Sequence, residues 1–214
     1  MSILSSILLV LHVVFGGSAL VLGLFSMSSR KGQKLHKKSG FYFFISMLSV
    51  SITAIVLSSI KGSTFLFHIG IFSLYMNYSG LRAIRNKKLT PSTLDWIVNI
   101  ASLINTILMI ASFQLVLVIF GLISLQLVYS QLRLFYFHIR NKEIPKMTWL
   151  AQHIGMMVGT YISTFTAFLV VNVNFISPAW IVWILPSVIF TPLIVYWTRK
   201  YTEIPKKRTE QPVI

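Results

Sequence analysis

Residues 96–132, "WIVNIASLINTILMIASFQLVLVIFGLISLQLVYSQL", run for 37 positions without a charge or a proline. One straight helix of that length would reach about 55 Å at 1.5 Å per residue, whereas a bilayer core is about 30 Å thick and takes about 20 helical residues. The run therefore predicts two membrane spans folded back on each other, with a tight turn at Ser112, Phe113 and Gln114. The same reading finds seven spans in all, at 3–27, 41–60, 63–84, 93–112, 115–138, 147–172 and 178–198. The expected fold is an all-α, polytopic membrane bundle: one seven-helix domain over residues 1–202, then a polar tail, "EIPKKRTEQPVI", at 203–214.

Composition fits this class. Hydrophobic residues make up 55% of the 214 positions and charged residues 11%, too apolar for a soluble domain that must cover its surface with polar groups. The net charge of +15 could suggest nucleic acid, but the basic residues sit in short gaps between apolar runs, which points to loops meeting anionic headgroups instead. With seven spans, every Lys and Arg except Lys61 falls on one side, in the groups Arg30 to Lys38, Arg82 to Lys88, Arg133 to Lys146 and Arg199 to Arg208. The positive-inside rule then puts the N-terminus outside and the C-terminus in the cytoplasm. Trp96, Trp149 and Trp197 fall near expected cytoplasmic ends and Trp180 and Trp183 near an outer one, as an aromatic belt requires. The opening "MSILSSILLVLHVVFGG" lacks the basic start of a secretory signal and reads as a span entering from outside.

Three stretches, "LHVVFGGSALVLGLFSMSSRKGQKLHKKSGFYFF" at 11–44, "SGLRAIRNKKLTPSTLDW" at 79–96 and "QHIGMMVGTYISTFTAFLVVN" at 152–172, resemble a bacterial family of multi-span membrane proteins of unknown function. Its marks are a histidine in the first helix, a basic-His-basic first loop and an H-x-G-x-M-x-G-x-Y sixth helix. The resemblance implies a multi-pass protein of the bacterial cytoplasmic (inner) membrane and brings no assigned activity or catalytic residue.

Polar groups inside hydrocarbon are costly, so intramembrane histidines mark the places where function is expected. His12, Gly16, Ala19 and Gly23 share one face of the first span, where small residues suit close helix packing or a flat cofactor. By helical rise His12 lies about 13 Å and His68 about 8 Å below the outer surface. Close in depth, they could supply two axial ligands to a b-type haem if the first and third helices are neighbours. Tyr75 and Ser79 follow His68 on its face.

The sixth span carries two stripes. Gly155, Gly159, Ser163 and Ala167 form a packing seam, while His153, Met157, Thr160 and Thr164, beside Gln152, form a polar column that could line a cavity or simply bond to its neighbours. His153 is a third candidate for cofactor binding. His36, in the first cytoplasmic loop, and His138, at the end of the fifth span, stand near the same surface as His153, and the three are weak candidates for a metal site.

The absence of cysteine excludes disulfides, iron–sulfur clusters and thiolate metal sites. With no acid expected inside the spans, a Ser-His-acid triad has no acid and a two-metal centre has no carboxylates. Three classes remain: a redox protein whose histidines ligate haem or contact a quinone, a transporter or lipid-binding protein with a polar cavity, and a non-catalytic partner of another membrane protein. Histidines in three spans without accompanying acids favour the first.

Overall fold

A computed structural model describes residues 3–202, so the expected polar tail lies outside the described residues. Seven helices follow in order: α1 (Ile3–Ser28), α2 (Lys34–Lys61), α3 (Thr64–Arg85), α4 (Thr93–Ala111), α5 (Leu115–Ile139), α6 (Thr148–Asn172) and α7 (Trp180–Thr202). The uncharged run breaks at Ser112 to Gln114, where Phe113 takes φ 54° and is 90% exposed. Gly62 ends α2 at φ 67°, a left-handed conformation that glycine accepts without a Cβ penalty. Ser63 then caps α3, its hydroxyl accepting from the Leu66 N–H.

Six helices are long and apolar enough to cross a membrane; α3 is the exception. Its 22 residues span about 33 Å, so length is not the obstacle. Its polar side chains are: His68, Ser73, Tyr75, Asn77, Tyr78, Ser79 and Arg82 lower its hydropathy. The packing accounts for them, because α3 lies against α2, α4, α5 and α6. It runs antiparallel to α2 along its length, with Gly70 beside Ala54 and Ile55 near one end and Asn77 Nδ2 donating to the Phe44 carbonyl at 3.0 Å toward the other.

Amphipathicity is inverted on α4. Its buried residues are Asp95, Asn99, Ser102, Asn105, Thr106 and Met109, whereas Leu94, Ile97, Ile100, Ile104, Ile107 and Leu108 are exposed. Lipid solvates the apolar face, and the polar face bonds to neighbouring helices. Two apolar clusters fill the interior, one around Phe72, Tyr75, Met109, Leu117 and Phe120, the other around Ala19, Phe43, Met47 and Tyr161.

The loops at 29–33, 86–92 and 140–147 share one end of the bundle, here termed the basic end. Lys31 lies 4.2 Å from the Trp197 ring, and Lys87 4.7 Å from the Trp149 ring. These contacts join the first loop to the end of α7 and the third loop to the start of α6. The helix α2 begins at Lys34, seven residues before the expected span, so Lys34, His36, Lys37 and Lys38 belong to its first turns and not to a loop.

Candidate functional site

Four histidines have their Nδ1 atoms tied down. His12 Nδ1 meets Thr53 Oγ1 at 3.0 Å, and because the Thr53 hydroxyl donates to the Ser49 carbonyl at 2.7 Å, the ring is the donor. His68 Nδ1 donates to Asn105 Oδ1 at 2.8 Å, and Asn105 Nδ2 returns a bond to the His68 carbonyl at 3.2 Å. These two histidines therefore turn to different partners, one on α2 and the other on α4. The condition for pairing them is that α1 and α3 be neighbours, and α1 packs chiefly against α2 and α6.

His36 and His153 do come together. One sits in the first turn of α2 and the other in the second turn of α6, and their ring centroids are 6.5 Å apart with the planes at 90°. His36 Nδ1 donates to the Ser26 carbonyl of α1 at 3.0 Å, and His153 Nδ1 to the Gly80 carbonyl of α3 at 2.9 Å. A carbonyl oxygen can only accept, so each Nδ1 carries a proton, and in the neutral ring Nε2 is the nitrogen with the lone pair. Residues on four helices thus orient the two rings, each with its Nδ1 on a backbone carbonyl.

Gly80 makes the second bond possible. A Cβ there would stand 2.6 Å from Met157 Sδ, 2.9 Å from Met157 Cγ and 3.3 Å from Met156 Cβ. A side chain at position 80 would require Met157 to move aside. His138, in the last turn of α5, takes no part in the pair. Among the described residues no group of three or more His, Cys, Asp or Glu side chains is placed to hold a metal ion.

The surroundings are strongly cationic. Lys31 shares the Ser26 carbonyl with His36, its Nζ lying 3.4 Å from that oxygen, and it also bonds the Met27 carbonyl. The ammonium thereby caps the C-terminus of α1, and burial holds its pKa below the ordinary lysine value. Arg30, Lys34, Lys37 and Lys38 flank the same turn.

One residue corrects the sequence reading. An acid does lie inside a spanning helix: Asp95, in the first turn of α4, is 4% exposed. Arg82 Nε reaches Asp95 Oδ1 and Arg82 Nη2 reaches Oδ2, both at 2.8 Å, while the Tyr78 hydroxyl donates to Oδ1 at 2.8 Å. Ser92 completes a capping box with the same carboxylate. The available signal was Ser-x-x-Asp at 92–95, opening an apolar run.

The expected cavity-lining residues scatter. Tyr75, 2% exposed, donates to Asn99 Oδ1 at 3.2 Å; Thr160, fully buried, donates to the Met156 carbonyl at 2.8 Å; Thr164 is 6% exposed. Met157 packs against Gly80, and the Cβ position at Gly16 meets no atom within 4 Å. Gln152 bonds Gln131 and lines a cavity of about 10 Å³ together with Tyr78, Arg82, Asp95 and Asn99. That is room for about one water. Of the packing seam, Gly159 lies against Met76 Sδ and Ser163 bonds Ser73 at 2.5 Å, while Gly155 meets nothing within 4 Å. Three buried polar atoms lack a partner among the described residues, Ser51 Oγ, Asn77 Oδ1 and Thr166 Oγ1, one on each of α2, α3 and α6.

Residues 9–100, less than half of the chain, match a family described as "Predicted membrane protein (DUF2306)". No curated protein and no solved structure matches the chain. The matched segment covers most of α1, all of α2 and α3 and the start of α4, and so includes His12, His36, His68, Gly80 and Asp95 but not His153.

Proposed function

We propose that the protein is an integral membrane redox protein of the bacterial cytoplasmic membrane, working through histidines at the basic end of its bundle. The observation that carries this reading is the approach of His36 and His153, which are 117 positions apart, with both tautomers fixed by backbone carbonyls. Neutral imidazoles suit a haem iron or a hydrogen bond to a quinone.

The membrane orientation belongs to the same proposal. Seven spans, with α3 crossing beside α2, put the basic end in the cytoplasm and the N-terminus outside. The partners then include anionic lipid headgroups at that face and a membrane or soluble electron carrier, not nucleic acid. The transporter reading draws less support, because the hydroxyl of Thr160 is bonded within its own helix and Met157 fills the space beside Gly80.

Anaerobic titration of the detergent-purified protein with dithionite tests the reading. Reversible uptake of about one electron per chain is expected; a protein that takes up none is not a redox protein.

A further inference from the structure

We propose that the last three turns of α7 form a binding site for one anionic phospholipid, its phosphate on Arg199 and Lys200 and an acyl chain along Thr191, Pro192, Val195 and Tyr196. This inference gives a place to the lipid partner named above. It rests on α7 crossing the bilayer and is independent of the redox centre.

The shape of α7 is the first argument. Its buried residues, Val182 and Pro186, lie in its first two turns, and from Ser187 onward it buries none. Thr191, Pro192, Val195, Tyr196, Arg199 and Lys200 follow i, i+1, i+4, i+5, i+8, i+9, so they share one face, and all six are exposed. Together they line an open groove of about 560 Å³. Two neighbours in sequence shape it. Pro192 has no N–H for the Val188 carbonyl and its ring crowds that oxygen, while the Thr191 hydroxyl donates back to the Ser187 carbonyl at 2.6 Å, a bond that favours bending.

Length is the second. From Thr191 to Lys200 the helix rises about 14 Å at 1.5 Å per residue. Half of a bilayer core is about 15 Å. The groove therefore runs the depth of a single leaflet, as one acyl chain does, and its cations stand where the headgroup is.

Charge selects the lipid. Among the described residues Asp95 forms an ion pair with Arg82, and no carboxylate pairs with Arg199 or Lys200. In sequence, residues 199–208 hold five cations against one acid, Glu203. Lys200 Nζ donates to Tyr196 Oη at 3.2 Å, which keeps the ammonium at the mouth of the groove. The first loop adds Lys31, set over the Trp197 ring at 4.2 Å. Cations that lack a protein counter-charge at headgroup depth take one from an anionic phosphate, and Arg and Lys bond phosphate oxygens directly. A zwitterionic lipid fills the same groove but brings its own ammonium into this field.

The test uses the full chain purified in detergent, titrated with dioleoyl phosphatidylglycerol, dioleoyl phosphatidylcholine or glycerol phosphate, with bound molecules counted by native mass spectrometry. One phosphatidylglycerol per chain is expected, held at least tenfold more tightly than phosphatidylcholine, and glycerol phosphate should not displace it. The double variant Arg199→Gln with Lys200→Gln should weaken phosphatidylglycerol at least tenfold, since one cation at an anionic surface is worth about fivefold. If that variant is not monodisperse, each single replacement takes its place, with about a fivefold loss expected. Val195→Trp, which obstructs the groove, should weaken both lipids, and Lys87→Gln with Lys88→Gln, at the same end but on another loop, should change neither. Equal affinity for the two lipids overturns the assignment, as does an unchanged preference in the Arg199 and Lys200 variant. An equal loss in the Lys87 and Lys88 variant would reveal a diffuse field instead of a site, and full binding by Val195→Trp or displacement by glycerol phosphate would reveal a phosphate site without a chain groove; each contradicts the proposal. Electron uptake by the Arg199 and Lys200 variant should equal that of the wild type, so failure of either reading leaves the other standing.

Discussion

Arg82 on α3 and Asp95 on α4 meet in a two-pronged ion pair, Nε to Oδ1 and Nη2 to Oδ2, each at 2.8 Å. The carboxylate side chain is 5% exposed and the guanidinium 30%. Tyr78 and Ser92 fill the remaining acceptor sites of Asp95, so its charge is fully compensated. This pair fixes the seven-residue connection between the two helices and their relative height.

Removing one partner leaves the other charge without compensation. Asp95→Ala is expected to cost about 2–3 kcal/mol, below the range for a fully buried pair because Arg82 retains contact with the surface. Thermal unfolding in detergent checks it, and the double variant Arg82→Ala with Asp95→Ala should lose less than the two single variants combined. Additive losses would mean that the pair carries no coupling.

Thr166 makes the opposite prediction. Its hydroxyl is buried without a partner, so Thr166→Val removes an uncompensated polar group at nearly constant volume. Stability should rise by about 1 kcal/mol in the same unfolding assay. A fall of that size would show that the hydroxyl has a partner, such as an ordered water.

Gly80→Val tests how α6 is held against α3. A branched side chain would collide with Met157 and Met156, pushing α6 outward at a cost of about 1–3 kcal/mol and lengthening the His153 contact with the residue 80 carbonyl. The expected outcome is a lower unfolding temperature in detergent. Stability unchanged from wild type would show that the two helices are not in close contact there.

The chain has no cysteine, so single substitutions report topology directly. In intact cells, Lys61→Cys should react with a membrane-impermeant maleimide added outside, and Lys87→Cys should react only after the membrane is opened. The reverse pattern would place the basic end outside.

Much of the fold was legible in the sequence because lipid imposes a demand that hydropathy reads well: Phe113 and its neighbours break an uncharged run too long for one crossing, and α4 and α5 follow. Helix ends were less legible. Hydropathy marks where hydrocarbon stops, not where the helix does, so His36 read as a loop residue although α2 continues back to Lys34. Asp95 is illegible as a buried acid from α4 alone because its burial depends on Arg82, which lies on another helix. The candidate site was legible only as separate histidines. Which of them meet is decided by the packing of α6 against α3 and of α2 beside both, a long-range arrangement that helical periodicity does not encode.

The central claim is that the redox centre belongs to His36 and His153, and reductive titration of matched variants tests it most directly. Wild type and the double variant His12→Ala with His68→Ala should each take up about one electron per chain, and the double variant His36→Ala with His153→Ala none, while all three remain monodisperse. Equal electron uptake by all three would contradict the account.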